Sequence, residues 1–406
     1  MKLSILTPAV ALGAGLVAQA AHLPTQHALQ YDAQLLPPHI LASSRTSDLV
    51  GLHKNLTDIE SISGNELEVG KWLQKSLKEQ GYHTELQEVT KDRFNVLAWP
   101  GDKRDARLLI TSHIDTVPPY IPYNSTGTKT STTISGRGSV DAKGSVAAMI
   151  IAANSLLDSV EVTPNDFAFL FVVGEETHGD GMRAANKLNL SPKAIIFGEP
   201  TEGKLASGHK GITVFNLKAR GKAAHSGYPW LGRSANQIMT RALNALLDLE
   251  KDFPKSDRFG VTTLNIGQVE GGVAANVVAE TATAKVAIRI AAGEPDEIQE
   301  MVVKAVEDAT KDFRDEKGNK VLDIDFLGVG YGPVPLDTDV QGFESMPVNY
   351  GTDVPNLKST VKGQKRYLYG PGSIQVAHSD HEALTLADLE LAVKDYKRLI
   401  LHCLQT

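Results

Sequence analysis

From about residue 47 onward, short apolar runs of strand length alternate with stretches whose apolar residues recur at helical spacing. Leu49, Leu52, Leu56 and Ile59, then Val69, Leu73 and Leu77, predict two helices within 47–80. Residues 94–98, 107–111, 167–173 and 194–197 are β-rich runs, and 145–157 is an almost continuously apolar helix. Strands apolar on both faces, alternating with helices, predict a largely parallel sheet covered by helices. The pattern changes after about residue 208. A half-buried strand over 211–221 is followed by a helix (234–249), two strands (262–269 and 281–290), a helix (294–313) and a strand (321–327). That β-α-β-β-α-β order predicts a separate ferredoxin-like lobe with one open sheet face. The expected fold is therefore α/β, a mixed and largely parallel sheet with flanking helices, carrying an inserted α+β lid. The main domain takes 46–207 and 333–406, and the lid takes 208–332.

The N-terminus has its own pattern. Lys2 precedes an apolar stretch over 3–17, and Ala18-Gln19-Ala20 supplies a small-x-small cleavage site, so 1–20 reads as a signal peptide. Residues 21–45 read as a propeptide or an ordered arm. Secretion is the expected route, and Asn55, Asn124 and Asn189 head three glycosylation tripeptides. The net charge of −7, with no block of Lys or Arg, argues against nucleic acid or an anionic membrane surface as partner. Cys403 is the only cysteine, so stability is expected from a large core and from bound metal, not from disulfides.

Five polar segments interrupt this apolar background: Ser112-His113-Ile114-Asp115, Ser139-Val140-Asp141-Ala142-Lys143-Gly144, Gly174-Glu175-Glu176, Gly198-Glu199-Pro200 and Ala377-His378-Ser379-Asp380-His381-Glu382. Three follow buried strands, where loops of a parallel sheet build sites. Of His113 and Asp115, one can bind metal while the other orients it. Asp141 precedes an apolar helix, as a ligand or as a helix N-cap. Adjacent carboxylates at Glu175 and Glu176 are costly to bury unless they share a cation or proton, and one can coordinate while the other addresses water. Glu199 and the remote His378 complete a set of imidazoles and carboxylates without thiols, which suits two Zn²⁺ ions. His378, His381 and Glu382 do not form a His-Glu-x-x-His helix, and no Gly-x-Ser-x-Gly elbow exists for a serine hydrolase.

These motifs, in this order, resemble the M20 metallopeptidase family over about residues 50–406, and with the signal peptide the chain is similar to secreted fungal carboxypeptidases of that family. The resemblance implies a two-zinc aminopeptidase/carboxypeptidase-like catalytic fold, with His113 and Glu199 on one zinc, Glu176 and His378 on the other, and Asp141 bridging; Co²⁺ or Mn²⁺ would also suit. It implies that Asp115 orients His113 and that Glu175 is the general base. His225, in Ala224-His225-Ser226-Gly227, matches the residue that reaches a neighbouring active site in dimeric members, which makes the lid a homodimerisation domain. Asn276 and Arg289 match positions near the substrate carboxylate. The chain departs from the family at Ala279, where members often carry Pro, and at Ser379-Asp380-His381. The expected activity is hydrolysis of a C-terminal peptide bond through a metal-bridged hydroxide. Cleavage of N-acyl amino acids by an aminoacylase, or deacylation of the acetylornithine type, is the nearest alternative; a non-catalytic binding protein on this fold should have lost Glu175 or a ligand.

Overall fold

The computed structural model describes residues 41–128 and 131–405. The signal peptide and most of the 21–45 segment lie outside them. The first helix, α1 (Ser43–Asp58), starts before the boundary expected at 46, so the last residues of that segment are helical. It is followed by α2 (Leu67–Glu79), β1 (His83–Thr90), β2 (Arg93–Trp99), β3 (Leu108–His113), the short β4 (Asn124–Thr126) and β5 (Thr133–Ser135), and α3 (Lys143–Asp158). Then come β6 (Phe167–Val172), α4 (Asp180–Ala185), β7 (Ala194–Gly198) and β8 (Leu205–His209). The inserted lobe holds β9 (Gly211–Arg220), α5 (Ala235–Leu249), a two-residue pair β10 (Lys255–Ser256) and β11 (Gly260–Val261), β12 (Thr263–Gly271), β13 (Thr281–Ile290), α6 (Pro295–Thr310) and β14 (Leu322–Phe326). The chain returns through β15 (Val334–Pro335), β16 (Ser345–Val348), β17 (Lys365–Tyr369) and β18 (Ala383–Thr385), and ends in α7 (Leu386–Gln405).

The main sheet runs β1-β2-β6-β3-β7-β17. β6, β3, β7 and β17 are mutually parallel, whereas β1 and β2 add an antiparallel edge. Every residue of β3, β6 and β7 is buried because both faces are covered. One face, with Leu108, Ile110, Phe167, Phe169, Phe171 and Ile196, shares a core with α1, α2, α3 and α7. The other, with Leu109, Leu170, Val172, Ile195 and Phe197, packs on Met182, Ala185, Val348 and Val354. Helix α3 is enclosed by α1, α7 and the sheet, which explains why it is apolar all round. Truncating a side chain such as Ile150 to Ala there should cost about 2–5 kcal/mol.

The lid sheet runs β12-β13-β9-β14, all antiparallel. Along β9 the burial alternates: Phe215, Leu217 and Ala219 face a core of their own with Ile238, Leu246, Ile298 and Val302 from α5 and α6. Among the described residues no helix packs on the opposite sheet face, and β12 is an exposed edge. Where the chain enters and leaves the lobe, Ile212 and Tyr331 pair backbone to backbone in an antiparallel bridge. Gly211 allows this approach, since a Cβ there would meet the Tyr331 carbonyl oxygen at 2.2 Å.

Candidate metal centre

Parallel pairing of β6, β3, β7 and β17 puts the C-terminal ends of four strands at one sheet edge. His113 is the last residue of β3, Glu175 and Glu176 follow β6, Glu199 follows β7, and His378 lies beyond β17. Asp141 enters from the loop before α3. The helix N-cap position is Ala142, so Asp141 does not cap the helix. Its carboxylate instead faces two imidazoles. His113 Nε2 is 3.0 Å from Asp141 Oδ1 and 3.7 Å from Glu199 Oε2. His378 Nε2 is 3.3 Å from Asp141 Oδ2 and 2.9 Å from Glu176 Oε2. Two groups able to hold a metal ion result, His113/Asp141/Glu199 and Asp141/Glu176/His378, with Asp141 common to both.

The Asp115 carboxylate does more than face His113. Its Oδ1 lies 3.5 Å from His113 Nδ1, but the Asp115 backbone carbonyl is closer, at 3.0 Å. The carboxylate accepts the backbone N–H of Glu175 at 3.0 Å, that of Glu176 at 3.2 Å and the Ser63 hydroxyl at 2.6 Å. Asp115 thereby fixes the loop that carries both glutamates, a role that i, i+2 spacing with His113 did not reveal.

The electrostatics fit a cation site. Asp115, Asp141, Glu199 and Asp353 are each at most 7% exposed, and Glu175 and Glu176 stand beside them. Burial pushes the Glu199 carboxyl up to about 8 and Glu176 up to about 7, with Asp141 repelling both. Glu175 is raised well above the usual range by burial and by the Glu199 charge. Hydrogen bonds to Asp141 and Glu176 lift His378 to about 10. So many buried carboxylates around two imidazoles cannot all ionise without added positive charge. Nitrogen and oxygen donors without thiolate suit Zn²⁺, Co²⁺ or Mn²⁺.

The remaining predicted site residues lie elsewhere. His225 and Asn276 are exposed on the lid, where Ser226 N–H donates to the Asn276 carbonyl, and among the described residues neither bonds to the metal-binding side chains. Arg289 is half-buried on β13 near the Ile212–Tyr331 bridge. Its Nη1 is 3.4 Å, and the Tyr331 hydroxyl 2.3 Å, from the point where a Cβ on Gly351 would stand. No carboxylate pairs with Arg289 among the described residues, so it is open to an anionic ligand. Asn55, Asn124 and Asn189 are all exposed.

Four residues near the cluster had no predicted role. Asp353 is buried with Oδ2 unpartnered, and burial raises it to about 6. Tyr331 sits by Arg289, and a buried Arg137–Glu382 pair underlies the Asp141 loop. Their signals were present, in the 349–353 loop, the Gly-Tyr-Gly at 330–332 and the His378 segment, but only the tertiary fold gives them partners.

Comparison with known proteins supports this reading. The Peptidase family M28 profile matches residues 95–202 and the Peptidase dimerisation domain profile matches residues 207–314. A probable carboxypeptidase of Aspergillus flavus is 49% identical over 387 residues, covering 88% of each chain. A Peptidase M20 domain-containing protein of Sordaria macrospora is 46% identical over 400 residues, covering 89% of this chain and 86% of its own. The fold is shared with a dinuclear metal-binding M20 peptidase of Bacillus subtilis, at 17% identity and a TM-score of 0.63, over 90% of this chain and all of that one.

Proposed function

Because the chain belongs to the M20 metallopeptidase family and is a peptide-bond hydrolase, we propose that it is a secreted zinc carboxypeptidase that removes a C-terminal residue from peptides. The observation that carries this is the pair of metal-binding groups sharing Asp141, with Glu175 beside them. A pair of divalent ions held by His113, Asp141, Glu199, Glu176 and His378 would supply Lewis acidity to the scissile carbonyl and acidify water.

The chain's own groups would do the rest. Glu175, held at its backbone by Asp115 and not itself in either metal-binding group, would take a proton from the attacking water and return it to the leaving amine. Arg289, with the Tyr331 hydroxyl beside it, would hold the free carboxylate of the substrate's last residue. Asn276 would lie near the same carboxylate, and His225 would reach a neighbouring subunit's site in a lid-mediated homodimer and stabilise the oxyanion, consistent with the dimerisation-domain match. The signal-like 1–20 segment and the exposed Asn55, Asn124 and Asn189 support a glycosylated, extracellular protein.

The test pairs Glu175→Gln with a substrate panel. The variant should retain its metal and lose nearly all turnover; retained activity would sink the role of Glu175. N-blocked dipeptides should be cleaved in preference to N-acetyl and N-fatty-acyl amino acids, and the reverse order would make the chain an aminoacylase.

A further inference from the structure

Glu382 lies outside both metal-binding groups, yet it touches the backbone of the residue they share. Its side chain is 1% exposed and fully engaged. Oε1 accepts the backbone N–H of Val140 at 3.0 Å and of Asp141 at 3.1 Å, and Oε2 accepts Arg137 Nη1–H at 2.6 Å. The Glu382 carbonyl accepts Gly136 N–H at 3.2 Å and the Ser139 hydroxyl at 3.3 Å. Arg137, itself 2% exposed, donates Nη2–H to the His378 carbonyl at 3.4 Å and Nε–H to the Pro119 carbonyl at 3.3 Å. One buried ion pair therefore grips the backbone at Asp141 and at His378.

Stability alone does not account for such a pair. Burying two charges costs several kcal/mol per ion, and apolar side chains of similar volume often serve a fold as well or better. Apolar side chains cannot, however, accept two backbone N–H groups from one loop while fixing the carbonyl of another. We propose that Glu382 and Arg137 are positioning residues that set the spacing between Asp141 and His378 and through it the affinity for the metal pair. The proposal rests on the metal reading above.

The chemistry makes the requirement sharp. Both Glu382 oxygens accept hydrogen bonds, so Glu382→Gln must turn its NH₂ toward Arg137 or toward two backbone N–H groups, donor against donor. Arg137→Lys keeps the charge but loses the planar fork that spans Glu382 and the His378 carbonyl. The first change should disturb both metal-binding groups through Asp141. The second should act mainly on the group containing His378.

The experiment is Zn²⁺ titration of the metal-stripped full chain against a chromogenic chelator, with thermal melts of the same samples before metal is added. Wild type should bind two ions. Glu382→Gln should weaken binding about 10- to 100-fold, the range for residues that orient metal ligands. Arg137→Lys should weaken one ion and spare the other. The double variant Arg137→Leu/Glu382→Leu leaves no unpaired buried charge, so it should melt above Glu382→Gln while its affinity stays low. Full Zn²⁺ affinity in Glu382→Gln, or affinity that recovers together with stability in the double variant, would overturn the proposal. Should Glu382→Gln fail to fold, the double variant decides. A wild type that binds no metal would overturn the metal reading instead.

Discussion

Acid should weaken the fold in part through one buried imidazole of the main domain, His53. His53, on α1, is fully buried, with Nε2 2.9 Å from the Ser139 carbonyl and no partner at Nδ1. The neutral ring satisfies this site by donating from Nε2. A protonated ring would carry a second N–H with no acceptor. Burial, partly opposed by the bond to Ser139, lowers the pKa from 6.5 to about 4. The unfolded chain therefore takes up this proton first as pH falls. The contribution is fully present above about pH 6.5 and is lost progressively down to about pH 4. A displacement of that size is worth about 3 kcal/mol in all, and about 2 kcal/mol of it is gone by pH 5. The assay is urea unfolding of the metal-free chain from pH 7.5 to 5, wild type against His53→Gln, whose amide can still donate to Ser139 but does not titrate. Between those limits the difference in unfolding free energy should move by about 2 kcal/mol in the variant's favour. His209, the other imidazole pushed down to about 4, is common to both proteins and cancels. Parallel pH profiles would refute the reasoning. Because Ser139 lies two residues before Asp141, the same proton should loosen the metal loop as well.

Other outcomes follow from the site. Asp115→Asn must present its NH₂ to at least one of three donors, so it should lose about 2 kcal/mol of stability by chemical denaturation, together with turnover. Arg289→Met should raise KM for a peptide with a free C-terminal carboxylate about 10- to 100-fold, while leaving any slow cleavage of the amidated peptide unchanged; an equal effect on both would remove Arg289 from carboxylate binding. His225→Ala and Glu175→Gln should each be inactive alone, yet mixing them should restore up to about a quarter of wild-type activity, because a mixed dimer carries one complete site. No recovery on mixing would place His225 outside the partner's site.

How much was legible depended on whether the signal was local. The buried strands β3, β6 and β7 were readable because a sheet covered on both faces leaves continuous apolar runs, and the lid because its β9 alternates with a period of two. Strand β1 was missed: it is an edge strand whose residues are all half-buried or exposed, so Glu85, Gln87 and Glu88 leave no apolar pattern. Among site residues, those at strand ends announced themselves by a charge next to an apolar run. Asp141 did not, since before an apolar helix an aspartate reads equally as a cap. Glu382 is the harder case. In sequence it is one acidic residue in a polar segment beside His381, which is exposed and whose ring pairs with Asp380. Its role depends on Arg137 and the Val140–Asp141 backbone, about 240 residues away, and no period or motif encodes that contact. The sequence thus displays the groups that meet a cation and conceals those that hold them in place. A ligand must present a charge whatever its neighbours are, whereas a positioning residue acquires its function only from the donors the fold brings to it.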